Sequence, residues 1–542
     1  MPAIVVKAHG GMRPAIEPHL LDPAEAAVSN NTRLITGGID PLLGTTTLKA
    51  LSNAAAVTIW RYGDSATETN WWFEGAVDTD FMRSPIPNDA WGRAYWTDGT
   101  QPKYGPNSVL LSGGGALPGG SFNLGVPAPA AMPTLTFTPD STSNSETRSY
   151  VYTYVTAYGE EGPPSPPTSP VSLLPTDPVT VAGMSAGPGG PYNITLKRIY
   201  RTSTVGSTAQ FQFVAEIPVA TTSYVDTISQ ALLGEVIPSE DWIAPPAGLR
   251  GLKMLANGAA IGFVGNTVYL SEPSLPHAWP HRIPIEDTIV AIGVFGESAV
   301  LLTNGHPYLL SGADPSAMTP SKYAQPQACV AKRAVVDCEQ GTIYPSADGL
   351  VVAGPGGSLE VVTRKLLTAA QWRAYNPSSM IAAYIDGKYH CLYTTAGGQR
   401  GMLIFDFSGE GAVLSTCSIS ALVPVNAVYA DPRSDTLYMA QGGNIVRHDR
   451  GSPLVMTRRS GEYRLPAPVS MAVIAVDAAA YPVTARVYAD GVLVHTAAIT
   501  TQFAQRLPAG FEARSWYVEL EASAKITRWA LATSISELKA AM

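Results

Sequence analysis

Two histidines four residues apart beside a glutamate suggest a zinc site. The stretch YLSEPSLPHAWPHR (269–282) places His277, His281 and Glu272 in such a relation. A helical zinc pair of the HExxH type needs both imidazoles on one helix face and a glutamate next to the first. Here the spacer holds Pro280, and Pro276 precedes the first histidine, so no helix can run through it. No third ligand lies at a suggestive spacing. The expectation is a blade-connecting loop in which Trp279 packs and the prolines set the direction, with no metal bound.

Other residues with chemical potential fare no better. Glu160–Glu161 and Glu240–Asp241 are adjacent carboxylates, but both sit in Pro/Gly-rich turns. A glycosidase pair assembled from distant loops would be invisible in sequence. His390 and Cys391 are neighbours in a strand-like run, which puts them on opposite faces and rules out a dyad. The glycine-rich stretches at 354–358 and 112–120 lack the trailing Gly-Lys-Ser/Thr of a phosphate loop. No GxSxG elbow occurs. Cys329, Cys338, Cys391 and Cys417 form no CxxC pair, so they read as free, mostly buried thiols of a protein made in a reducing compartment. No catalytic, cofactor-binding or metal-ligating residue is singled out, and no enzyme activity or cofactor is expected.

The elements that surround these residues read as short strands. The chain has 542 residues with 50 Gly and 45 Pro, which implies many turns. One helix is expected in LLDPAEAAVSN (20–30), where Asp22 caps, Pro23 takes the first helical position and Glu25 follows in the first turn. Residues 55–112 are rich in aromatics and hold five of the ten tryptophans: Trp60, Trp71, Trp72, Trp91 and Trp96. Their alternation fits strands, with sheet core and interface filling as the main role and a sugar-binding platform as the alternative. Residues 113–132 read as a Gly/Pro/Ala-rich linker.

YTYVTAYGEEGPPSPP then opens a run of short strands resembling a fibronectin-type or immunoglobulin-like sandwich. From about residue 250 a loose recurrence of 35–50 residues appears, each unit with short strands and tight turns at Asn257-Gly258, Asp348-Gly349 and Asp386-Gly387. That period points to a β-propeller, and these dipeptides suit type I′ hairpins, as does Asp490-Gly491 further on. The fold class is therefore all-β, a propeller body with an inserted β-sandwich and a β-rich C-terminal region. The expected division is 1–132 as a β-rich region with a short helix, contributing to the propeller or its platform. Residues 133–238 are the inserted sandwich, 239–460 the blades, and 461–542 strands that close the propeller or form a small sandwich.

Charged residues are 14% of the chain, against an average near 25%, and the net charge is −8. A surface so poor in charge suits a member of an assembly. No long basic run exists to grip DNA, although a mildly acidic wall would let DNA slide past. No apolar stretch approaches the length of a membrane helix and no signal peptide is evident, so stable membrane insertion and export by the general route are not expected.

Three stretches carry a family resemblance. AIEPHLLDPAEAAVSNNTRLITGGIDPL resembles the opening of tail proteins from short-tailed bacteriophages. VYLSEPSLPHAWP resembles a turn of the same proteins, and SWYVELEASAKITRWALATSISEL their C-terminal strands. The family is the podovirus tail nozzle, also called tail tubular protein B, with the related tail-plug or packaged-DNA-stabilising proteins. The resemblance is clearest over 12–44 and 240–540. It implies a propeller subunit in a homo-oligomeric ring, commonly a hexamer, in the virion tail, assembled in the host bacterial cytoplasm. The ring would extend the DNA channel below the portal and adaptor, retain the genome, permit its ejection and anchor tail fibres or spikes. Genomic DNA would pass through without sequence-specific binding. A carbohydrate-binding adhesin or spike and a propeller glycosidase are the alternatives.

Overall fold

A computed structural model describes residues 3–35, 37–63, 67–205, 208–409, 411–419, 421–508 and 510–541. Strand takes 46% of the chain and helix 7%. The chain divides into two units, one of residues 1–78, 302–307 and 322–542, the other of 79–301 and 308–321. No helix among the described residues is long and apolar enough to cross a membrane.

The recurrence is a series of four-stranded antiparallel meanders, the blades of a β-propeller. They begin at Arg250, Ile289, Val336, Ile381 and Val425, 39 to 47 residues apart. The meander that starts at Val425 supplies only three strands of its own. Its fourth is Thr46–Ala50 from near the N-terminus, paired antiparallel with Asn444–Arg447. Lending an early strand to a late blade in this way joins distant chain segments through a full ladder of backbone hydrogen bonds.

Residues 134–226 form small antiparallel sheets around a shared core. The core is Tyr150, Tyr152 and Tyr154 from one strand against Val179 and Val181 from another sheet, closed by Ile199 and Ile217. This is the inserted sandwich. A second sandwich lies in the other unit. Val483, Val487, Trp516 and Val518 from one sheet pack on Ile474, Val476, Trp529 and Leu531 from another, and Ile4 and Val6 of the first strand join them. The C-terminal strands thus build a sandwich with N-terminal help.

The helix expected over 20–30 is absent. One 3-10 turn, Pro18–Leu20, is followed by the strand Ala26–Asn30. The start signal is nonetheless real. Asp22 accepts a hydrogen bond from the Ala24 N–H at 2.9 Å, and the Asp22 N–H donates to Glu25 Oε2 at 3.3 Å. The capped turn forms, but the residues after it prefer extended backbone, and pairing with Met456–Ser460 wins over propagation.

Of the four Asx-Gly turns expected to be hairpins, two have the backbone of type I′. Asp386 and Gly387 lie at φ 49° and 69°, Asp490 and Gly491 at 46° and 81°. At 257–258 and 348–349 only the glycine has positive φ, because each connection is longer than two residues.

Candidate functional site

The histidine pair that opened the sequence reading is divided in the structure. His277 is buried, its ring edge-on to Trp242 at 5.5 Å between centroids. Burial, with the charge of Arg93 adding to it, pushes its pKa down to about 3, and neither ring nitrogen has a hydrogen-bond partner. His281 starts the next strand of the same meander, and its Nε2 lies 3.1 Å from Glu272 Oε1. The stretch is therefore a connection within one meander rather than between blades. Trp279 is buried there, donating from its indole N–H to the Pro276 carbonyl at 2.7 Å.

Of the adjacent carboxylates, Glu160 and Glu161 form buried ion pairs, whereas Glu240 and Asp241 are exposed. Glu160 Oε1 accepts from Arg93 at 2.7 Å, and Arg93 also reaches Asp89 at 2.8 Å. Burial raises the Glu160 pKa while Arg93 pulls against it. Glu161 accepts from Arg198 at 2.8 Å, and from Tyr200 and Thr153 at 2.7 Å each. The four cysteines are free thiols, and burial raises the pKa of all four. Cys391 points into an apolar core with Trp372 and Phe405, the opposite face of its strand from His390. Of the tryptophans, Trp72 and Trp96 are buried, whereas Trp91 is 43% exposed and lies beside Tyr158 at 4.9 Å.

The structure gathers a different group. A cavity of about 280 Å³ opens between the meander at 381–417 and the one at 425–447. His390 comes from the middle of Lys388–Thr394, where alternation puts it on the face of Lys388 and Leu392. His448 follows directly on Asn444–Arg447, and its backbone N–H donates to the Leu437 carbonyl at 2.8 Å. The two rings meet at 5.4 Å and 76°, and only 6% and 4% of these residues is exposed. Nδ1 of His390 and both nitrogens of His448 have no hydrogen-bond partner.

Burial dominates their electrostatics. The His448 pKa falls to about 4, with Asp449 raising it and Arg33 lowering it, and that of His390 falls well below its ordinary value. Both imidazoles are neutral at pH 7, each with a lone pair to give. Around them Arg33 is paired with Asp449, and Lys388 with Asp386 at 2.6 Å. Arg450 donates to the Asp435 backbone carbonyl at 3.1 Å. Asp406 accepts from the Ser408 N–H at 2.9 Å. The cations are thus engaged, and the pocket offers chiefly acceptors. Among the described residues no group of three or more His, Cys, Asp or Glu side chains is placed to hold a metal ion.

Sequence reasoning missed this pair. His390 and His448 lie 58 residues apart on separate sheets, and the one local sign is the alternation of KYHCLYT, which fixes a face but no partner.

Neither a protein-family model nor a curated protein matches the chain. Among solved structures, the C-terminal WD40 domain of Sif2 is similar at 7% identity and a TM-score of 0.25, covering 75% of this chain and 98% of that one. The extracellular domain of the putative one component system BT4673 from B. thetaiotaomicron is similar at 9% identity and a TM-score of 0.24, covering 89% and 74%. Similarity this low says nothing of function. The propeller character rests on the chain's own meanders.

Proposed function

We propose that this chain is a structural subunit of the tail of a short-tailed bacteriophage, forming with its copies a ring-shaped nozzle. The ring extends the DNA channel, retains the genome until ejection and anchors fibres. The observation that supports this most is where the family-like stretches fall. Within the opening stretch, Ala26–Asn30 pairs with Met456–Ser460, and Gly38–Pro41 pairs with Ile526–Ala532 of the closing one. The two stretches of resemblance thus share sheets within one unit, as they would if both were kept for one purpose. Leu422, Val492 and Phe503 in that unit are exposed apolar side chains. Closed cyclic symmetry would bury such surface and fix a pore, and the net charge of −8 suits a wall that repels phosphate.

The test is gold-labelled antibody on phage particles from a lysate that contains the protein. Label at the distal tip of a short tail supports the nozzle. Unlabelled particles in such a lysate overturn it.

A carbohydrate-binding virion adhesin is the second reading, favoured by exposed Trp91 beside Tyr158. Sugar-dependent quenching of tryptophan fluorescence, lost in Trp91→Ala, would support it. Quenching that is absent or survives the substitution removes it.

A further inference from the structure

We propose that His390 and His448 form a binding site for one divalent transition-metal ion of the zinc type, with water completing its coordination. The argument begins with three ring nitrogens that lack partners on two residues lining a cavity. Leaving a buried polar atom unpaired costs about 1–3 kcal/mol, and one ion bound to a nitrogen of each ring would satisfy two of the three.

Ring geometry narrows the choice. With a metal–nitrogen bond of about 2.0–2.1 Å and a ring centre about 1.1 Å behind the nitrogen, two imidazoles on a tetrahedral ion have centres about 5 Å apart. The observed separation is 5.4 Å. An edge-to-face aromatic pair falls in the same range, but it leaves all three nitrogens unpaired where a bound ion would leave one.

Charge narrows it further. Arg33 and Lys388 are held by Asp449 and Asp386, so the cavity presents acceptors and favours a cation over an anion. Neutral imidazole suits zinc, copper and nickel better than it suits magnesium or calcium. The cavity of about 280 Å³ leaves space for bound water, each molecule occupying about 30 Å³. With only two protein ligands the site would be open and exchangeable, unlike the closed four-ligand cage of a structural zinc.

The test is calorimetric titration of chelator-treated full-length protein with Zn2+, with Mg2+ as the control ion. One equivalent of Zn2+ should bind and Mg2+ should not. His390→Gln and His448→Gln should each weaken binding at least tenfold, while His281→Ala should not change it. Circular dichroism and thermal unfolding of each variant establish that it is folded. If a variant unfolds, protection of His390 and His448 from diethylpyrocarbonate by Zn2+ in the wild type replaces it, and lack of protection overturns the site. Stoichiometric binding that survives both substitutions, or no binding at millimolar Zn2+, also overturns it.

Discussion

His277 and His281 are four residues apart in sequence and turn away from each other, one toward Trp242 and the other toward Glu272. His390 and His448 are 58 residues apart and put their rings together. The first pair sits on a connection whose direction two prolines set, so sequence proximity gives it no common face. The second pair is delivered by two rigid meanders, one from mid-strand and one from a strand end. Strand alternation and sheet packing decide where both point. In a blade protein, residues that meet can come from different places on successive sheets, and local spacing carries little information about sites.

The two regions can be set apart by experiment, beginning with the largest effect. Trp279→Ala should destabilise the protein by about 3–5 kcal/mol, because it empties a large buried volume among Tyr95, Tyr104 and Leu249. Urea unfolding of the unit that holds it reads this directly. A loss under 1 kcal/mol would mean that the connection around His277 is not packed as described.

Acid should reveal His277 next. Its pKa is about 3 in the folded chain and 6.5 when unfolded. The unfolded chain therefore binds the proton more readily, and the stability from this group is complete above about pH 6.5. It is lost as the pH falls toward 3, by on the order of 3–5 kcal/mol in full. His277→Phe should flatten the stability profile over that window. A profile unchanged by the substitution would show that His277 is hydrated.

How much of this was legible depends on the range of the interaction. The blades were readable because their strands and turns are local, and their starts recur every 39 to 47 residues. The strand Ala26–Asn30 was not. Its capping residues specify a turn, whereas its extended state is set by a partner more than 400 residues away. Burial of Glu160 and Glu161 was hidden for the same reason, since Arg93 and Arg198 come from segments 67 and 37 residues away. The alternation that separates His390 from Cys391 was legible. The approach of His448 was not, because it depends on the packing of one sheet on another.

The histidines also differ in what replacing them should do near pH 7. His277→Phe removes two unpartnered nitrogens from an apolar setting and keeps a ring of similar size. It should therefore stabilise the protein by about 1–3 kcal/mol. His448→Phe should give a similar gain in chelator, but excess Zn2+ should no longer raise the melting temperature. The His277 variant should keep its response to zinc. Equal zinc responses in both variants would erase the distinction between the sites.

The smallest effect belongs to His281. Its ring is 20% exposed and the Glu272 carboxylate 30%, so water screens their 3.1 Å contact. Exposed pairs of this kind contribute about 0–1 kcal/mol. His281→Ala should thus shift stability by less than about 1 kcal/mol at pH 7, and addition of 1 M salt should leave the difference from wild type near zero. The Ala variant keeps Pro276 and Pro280, so the connection retains its direction. A loss several times larger would mean that the His281–Glu272 contact, rather than the prolines and Trp279, holds this connection in place. The division between a packed turn in one region and an open imidazole pair in the other would then need to be redrawn.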